Sequence, residues 1–132
     1  MIKKIILCHE RVRKITESFA FIEHRFLRDG FLVSLNHDEM LLYFFLVLAA
    51  DRYGLSFYGY DKICSILRIA LEDYLEARDQ LLEKDLIAFD GQLFQVLSLP
   101  GRPVLLKPQV DFKRDEPATI RDIFARALGG KP

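Results

Sequence analysis

The sequence predicts a mainly helical α+β domain, three helices and then a β-hairpin, flanked by an N-terminal arm and a C-terminal tail helix. Three observations carry this. Apolar residues recur at helical spacing over three successive stretches between residues 36 and 84. Asp90-Gly91 lies between two β-prone runs, the strongest short hairpin signal. Prolines at 100, 103, 108 and 117 then set off a last stretch with helical spacing. The expected organisation is an arm over 1–35, a core domain over 36–99, and a proline-rich linker with an amphipathic helix over 100–132.

The first helix begins after Leu35. Asn36 suits the N-cap, Glu39 falls at the capping-box position, and Leu35 with Met40 can form a hydrophobic staple. The helix runs through Met40–Ala50 to Asp51-Arg52, with Gly54 as its stop. Apolar residues lie on every side of it, which predicts burial on every side. The arm, the tail or a second copy of the chain must cover its back.

A second helix is expected from Tyr60 to Arg68, with Gly59 as N-cap and Ile63, Ile66 and Leu67 on one face. A third runs from Leu71 to Lys84, its inward stripe being Leu71, Tyr74, Leu75, Ala77, Leu81 and Leu82. Leu86–Phe89 and Gln92–Leu97 read as strands joined by a type I′ turn, whose two central residues take φ > 0. In the flanks, residues 11–22 alternate loosely, as an added strand would, and Glu23–Phe31 suit a short helix closed by Gly30. Ile120, Ile123, Phe124, Ala127 and Leu128 give the tail its helical spacing.

With 132 residues the chain can bury a core without staples, and 51% hydrophobic content with 11 Phe excludes a disordered protein. Lys+Arg and Asp+Glu number 19 each, so no global positive field marks a nucleic-acid binder. The charge is uneven, however. Residues 1–30 and residues 100–132 each carry seven basic and four acidic side chains, whereas residues 59–99 carry four basic and eight acidic.

Cys8 and Cys64 lie far apart in apolar neighbourhoods, too few for a disulfide framework. Met1–Cys8 is too short for a signal peptide and lacks a cleavage site. The longest apolar run, Met40–Ala50, has eleven residues, where a membrane span needs about 20. A cytoplasmic protein with reduced thiols and no membrane partner is expected.

No pattern points to catalysis. His9, His24 and His37, with Cys8 beside His9, lack the paired short spacings of a zinc site. Asp38-Glu39 fall at a helix N-terminus, where negative charge meets the dipole. No glycine-rich phosphate loop or nucleophile elbow occurs, and Cys64 among Ile63, Ile66 and Leu67 reads as a structural thiol. The expectation is a non-enzymatic protein without metal or cofactor.

Leu67–Ile87 (LRIALEDYLEARDQLLEKDLI) resembles the turn and recognition helix of bacterial winged helix-turn-helix proteins. Those read roughly L-G-L-S-x-x-T-V-x-x-A-I-x-x-L-E-x-x-G-L-I before the wing. Leu67, Ile69, Ala77, Leu81, Glu83, Lys84, Leu86 and Ile87 carry the resemblance, mostly as packing positions. Leu42–Ile66 is similar to winged helices of plasmid replication initiators and to small unassigned proteins that travel with mobile elements. The resemblance implies a winged helix-turn-helix and a DNA-binding accessory or regulatory protein of transcription or replication.

The chain departs from that family where DNA is read. The turn glycine is Arg68, the cap serine is Ala70, and Glu72, Asp73 and Glu76 replace the usual Arg, Thr and Arg. Glu72, Glu76, Asp79 and Glu83 make one acidic stripe, which a duplex would repel because affinity comes largely from Lys/Arg–phosphate pairs. The stripe is either a solvated face or a protein contact.

Basic side chains for double-stranded DNA are then Lys3, Lys4, Arg11, Arg13, Lys14 and Arg68; Arg25 and Arg28 follow the arm cluster, and Arg102, Lys107, Lys113 and Arg114 punctuate the proline-rich stretch. Ordinary solubility charge is the alternative. Protein contact would use Glu72, Glu76, Asp79 and Glu83 together with Ile120, Ile123, Phe124 and Leu128. A homodimer built from the Met40–Ala50 helix and the 118–128 tail is expected, the alternative being a monomer whose tail folds back over its own core.

Overall fold

The computed structural model describes residues 2–105. Four helices and a three-stranded antiparallel sheet make a mainly helical α+β fold there. The helices are α1 (Arg25–Arg28), α2 (His37–Ala49), α3 (Tyr60–Leu67) and α4 (Leu71–Glu83), and the strands are β1 (Leu55–Ser56), β2 (Ile87–Phe89) and β3 (Phe94–Val96). β3 lies in the middle of the sheet, with Leu55 opposite Gln95 and Ile87 opposite Val96.

The start of α2 follows from its cap. Glu39 N donates to Asn36 Oδ1 at 2.8 Å while Asn36 N donates to Glu39 Oε1 at 3.3 Å, so two otherwise orphaned donors are satisfied. The end differs from the expected glycine stop. Ala50 is already extended, and Asp51 Oδ1 accepts from Tyr53 N and Leu55 N at 2.8 and 3.0 Å. That side chain closes the turn, and Gly54, at φ +86, aims the chain into β1.

Nor is α2 buried all round. Leu42, Tyr43, Leu46 and Val47 face the core, whereas Leu41, Phe44 and Leu48 are 41%, 53% and 59% exposed. Its outward face is thus uncovered among the described residues, and the arm does not supply the cover.

The expected strand over residues 11–22 does not form. Every residue from Ile2 to Phe19 is exposed, and the one regular feature of this stretch is a 3-10 turn at His9–Arg11. Residues 12–22 make no main-chain hydrogen bond to main chain among the described residues, since a lone extended segment has no ladder to join. Further on, Phe26, Phe31 and Leu35 enter the same core as α2, so packing runs across position 35. Phe26 stacks on Tyr43 at 4.9 Å between ring centroids. Arg25 fastens this segment to the far end of the domain: Nη2 donates to the Leu99 and Pro100 carbonyls at 2.9 and 2.8 Å.

The hairpin forms by a different turn from the one expected. Only Gly91 has positive φ, and four residues separate Phe89 from its partner Phe94. Asp90 Oδ1 accepts from Gln92 N and Leu93 N at 2.9 and 2.7 Å, an Asx turn that leaves Asp90 itself out of the left-handed region.

Burial pushes the Tyr43 phenol up from 10.0 to about 12, with the Glu23 charge adding to the effect. The unfolded chain loses this proton first, so the stability is full below pH 10 and is lost as pH rises toward 12. Tyr74 shifts in the same direction, mainly through burial. Denaturant midpoints should therefore fall across that range, and Tyr43→Phe should flatten the decline without abolishing it. A decline unchanged in that variant would assign it to other groups.

Candidate interaction surfaces

α4 presents two distinct outer surfaces. Tyr74, Ala77 and Leu81 are buried, which fixes the rotation of the helix. Glu72, Glu76, Asp79 and Glu83 then point away from the core, and all four are exposed. Leu71 and Leu75, expected inward, are exposed along the adjoining flank. The inward stripe is narrower than its spacing suggests, because α4 is packed chiefly on its α2 side and its Leu71 and Leu75 flank is left open.

Arg78 is the one basic side chain within α4. Its guanidinium lies 5.3 Å from the Phe89 ring centroid and bonds Asp79 at 3.1 Å. It is thereby drawn toward the hairpin and neutralises one carboxylate of the stripe. Glu72, Glu76 and Glu83 have no ion-pair partner among the described residues.

The hairpin tip adds negative charge. The Leu93 and Gln92 backbone N–H groups hold the Asp90 carboxyl below the usual carboxylate range, and no Lys or Arg occurs between Leu86 and Leu97. A helix and a loop tip that are both negative make a poor surface for phosphates.

Lys3, Lys4, Arg11, Arg13 and Lys14 are all exposed on the arm. The arm is as apolar as it is basic, with Ile2, Ile5, Leu7, Val12, Ile15 and Phe19 more than half exposed. Arg68 is exposed at the turn between α3 and α4 and takes a left-handed backbone, φ 59 and ψ 48. Arg25, expected beside the basic arm, is instead largely engaged within the fold, its guanidinium bonding two carbonyls and Glu23 and lying over the Phe31 ring. Ile120, Ile123, Phe124 and Leu128 lie outside the described residues, as does the expected tail helix.

Cys8 is exposed, not set in an apolar neighbourhood, and Cys64 is partly buried with its thiol pushed up by burial. His9 lies in the 3-10 turn, His24 just before α1 and His37 at the start of α2, and the described residues contain no group of three or more metal-ligating side chains. No helix among them is long and apolar enough to cross a membrane.

One cluster escapes the sequence entirely. Lys84 Nζ donates to Glu39 Oε1 at 2.6 Å and to the Ser34 carbonyl at 2.7 Å, with the two side chains 11% and 4% exposed. Glu39 had a sufficient role as a helix cap, and nothing local pairs it with a residue 45 positions away.

Family models, curated proteins and solved structures offer no match to this chain.

Proposed function

We propose that the domain is a winged helix-turn-helix put to protein contact in place of base reading, as a non-enzymatic accessory factor. The acidic, exposed face of α4 is the observation that carries this. In that fold α4 stands where the recognition helix would be, and it offers a duplex four carboxylates.

Two features support the fold. The order α2, β1, α3, α4, β2, β3, with β1 pairing to β3, is that of a helix-turn-helix followed by a wing. Arg68 and Asp85, at φ 59 and 64, are the two non-glycine residues with left-handed backbone among those described. They stand at both glycine positions of the family pattern, where the chain needs that conformation whichever side chain it carries. In this reading the protein acts in the cytoplasm, where a thiol such as exposed Cys8 stays reduced.

A second reading, direct duplex binding, draws on the five exposed basic residues of the arm and on Arg68. Titration of the full chain with a generic duplex at low and at moderate salt separates the two. The wild type should bind no better than a neutral control protein. Glu72→Lys with Glu76→Lys should gain about tenfold at low salt and lose it as salt rises, since each new phosphate contact adds about 0.9 to the logarithmic salt slope. Strong, salt-dependent binding by the wild type that Arg11→Ala with Arg13→Ala weakens would replace the first reading with the second.

A further inference from the structure

The arm and α4 complement each other in charge and in apolarity, and neither is covered among the described residues. α4 carries five acidic side chains and one arginine, and that arginine is already engaged with Asp79 and Phe89. From Ile2 to Phe19 the arm carries five basic side chains and two acidic ones. Leu71 and Leu75 give α4 an exposed apolar flank beside its acidic stripe. Nucleic acid would satisfy the arm's lysines and arginines but would leave its isoleucines, leucine and phenylalanine in water.

Spacing agrees as well. Val12 leaves the 3-10 turn in extended conformation, and side chains on one side of an extended segment recur about every 6.6 Å. Arg13 and Ile15 fall on one such side, and Arg11 ends the 3-10 turn just before them. Helix positions four apart, such as Glu72 and Glu76, recur about every 6 Å. Arg13 can thus meet a glutamate of the stripe while Ile15 reaches the Leu71 and Leu75 flank, with Arg11 on the turn beside a second glutamate.

The chain's own arm leaves its own α4 exposed: Ala20 packs against the core, and every residue before it is exposed. Both complementary surfaces are present on every copy, which suits a reciprocal two-fold exchange. We propose that the arm of one copy lies along the α4 face of a second copy, with Arg11 and Arg13 against Glu72 and Glu76 and Ile15 over the apolar flank. This rests on the protein-contact reading and moves the dimer contact from α2 and the 118–128 tail to the arm and α4.

Sedimentation of the nuclease-treated full chain at micromolar concentrations tests it, alone and as three variants. Arg11→Glu with Arg13→Glu should weaken self-association by about tenfold or more, and so should Glu72→Lys with Glu76→Lys. All four changes together should restore it, and raised salt should weaken the wild type. These side chains are exposed, so circular dichroism should show every variant folded. A wild-type monomer overturns the proposal. So does a dimer indifferent to either reversal, or one that the combined variant fails to restore. A monomer that ignores a duplex overturns this inference alone, whereas a monomer that binds a duplex through the arm overturns the protein-contact reading with it.

Discussion

Lys84→Met should cost the fold about 3 kcal/mol, and adding Glu39→Gln should return most of it. Lys84 closes α4, and its ammonium reaches across to the first turn of α2. Methionine keeps a stem of similar bulk, so packing changes little and the loss is electrostatic. The Glu39 carboxylate would then sit 4% exposed with the Asn36 N–H, at 3.3 Å, as its remaining donor among the described residues. Removing one partner of a buried pair leaves an uncompensated charge, typically about 3–5 kcal/mol, whereas replacing both is often close to neutral. Glutamine removes the charge and still serves the capping box. Urea unfolding of the wild type and the two variants would show a lower midpoint with unchanged slope for Lys84→Met alone. A single variant within about 1 kcal/mol of wild type would mean that the carboxylate finds water.

This pair also shows where sequence reasoning stops. Local rules located α2's start, because Asn36 and Glu39 are three residues apart and the cap is made within one turn. They located α3, α4 and both strands of the hairpin for the same reason: each is set by spacing or by a turn within a few residues. They failed at the Lys84–Glu39 pair, where a group 45 positions away decides, and at two turns where a nearby side chain does the capping. The Asp51 side chain ends the α2 turn and the Asp90 side chain shapes the hairpin loop, so two glycines expected to act alone share the work with aspartates.

The surfaces were legible only in part. Spacing placed Glu72, Glu76, Asp79 and Glu83 on one stripe, and the structure exposes all four. Spacing also placed Leu71 and Leu75 inward, yet α4 packs mainly against α2 and that flank is left open. Periodicity records which residues share a face and says nothing of how wide a face the neighbours cover. The arm is the sharper case. Its loose alternation suggested a strand, but a strand needs a partner, and that partner is not within the described residues.

Gly54 and Gly91 separate the two ways a glycine can be required, and Gly54→Ala should be the more damaging by about 2 kcal/mol. Both have left-handed backbone, φ +86 and +104, so alanine at either is strained by about 1–2 kcal/mol. At Gly91, on the hairpin tip, a Cβ would meet nothing within 4 Å, and strain is the whole effect. At Gly54 a Cβ would stand 2.5 Å from the Val96 carbonyl oxygen, on backbone that cannot swing aside as a side chain would. The same residues are joined by the bond from Val96 N to Gly54 O at 2.8 Å. β3 would have to retreat, weakening the pairing of Leu55 with Gln95 and of Ser56 with Phe94. Since β3 carries Phe94 into the core and holds β2 on its other side, the shift would not stay local. Thermal unfolding of the two variants side by side gives the comparison without reference to any absolute scale. Equal losses would show that conformation alone sets the requirement at Gly54 and that the strand accommodates a methyl group there.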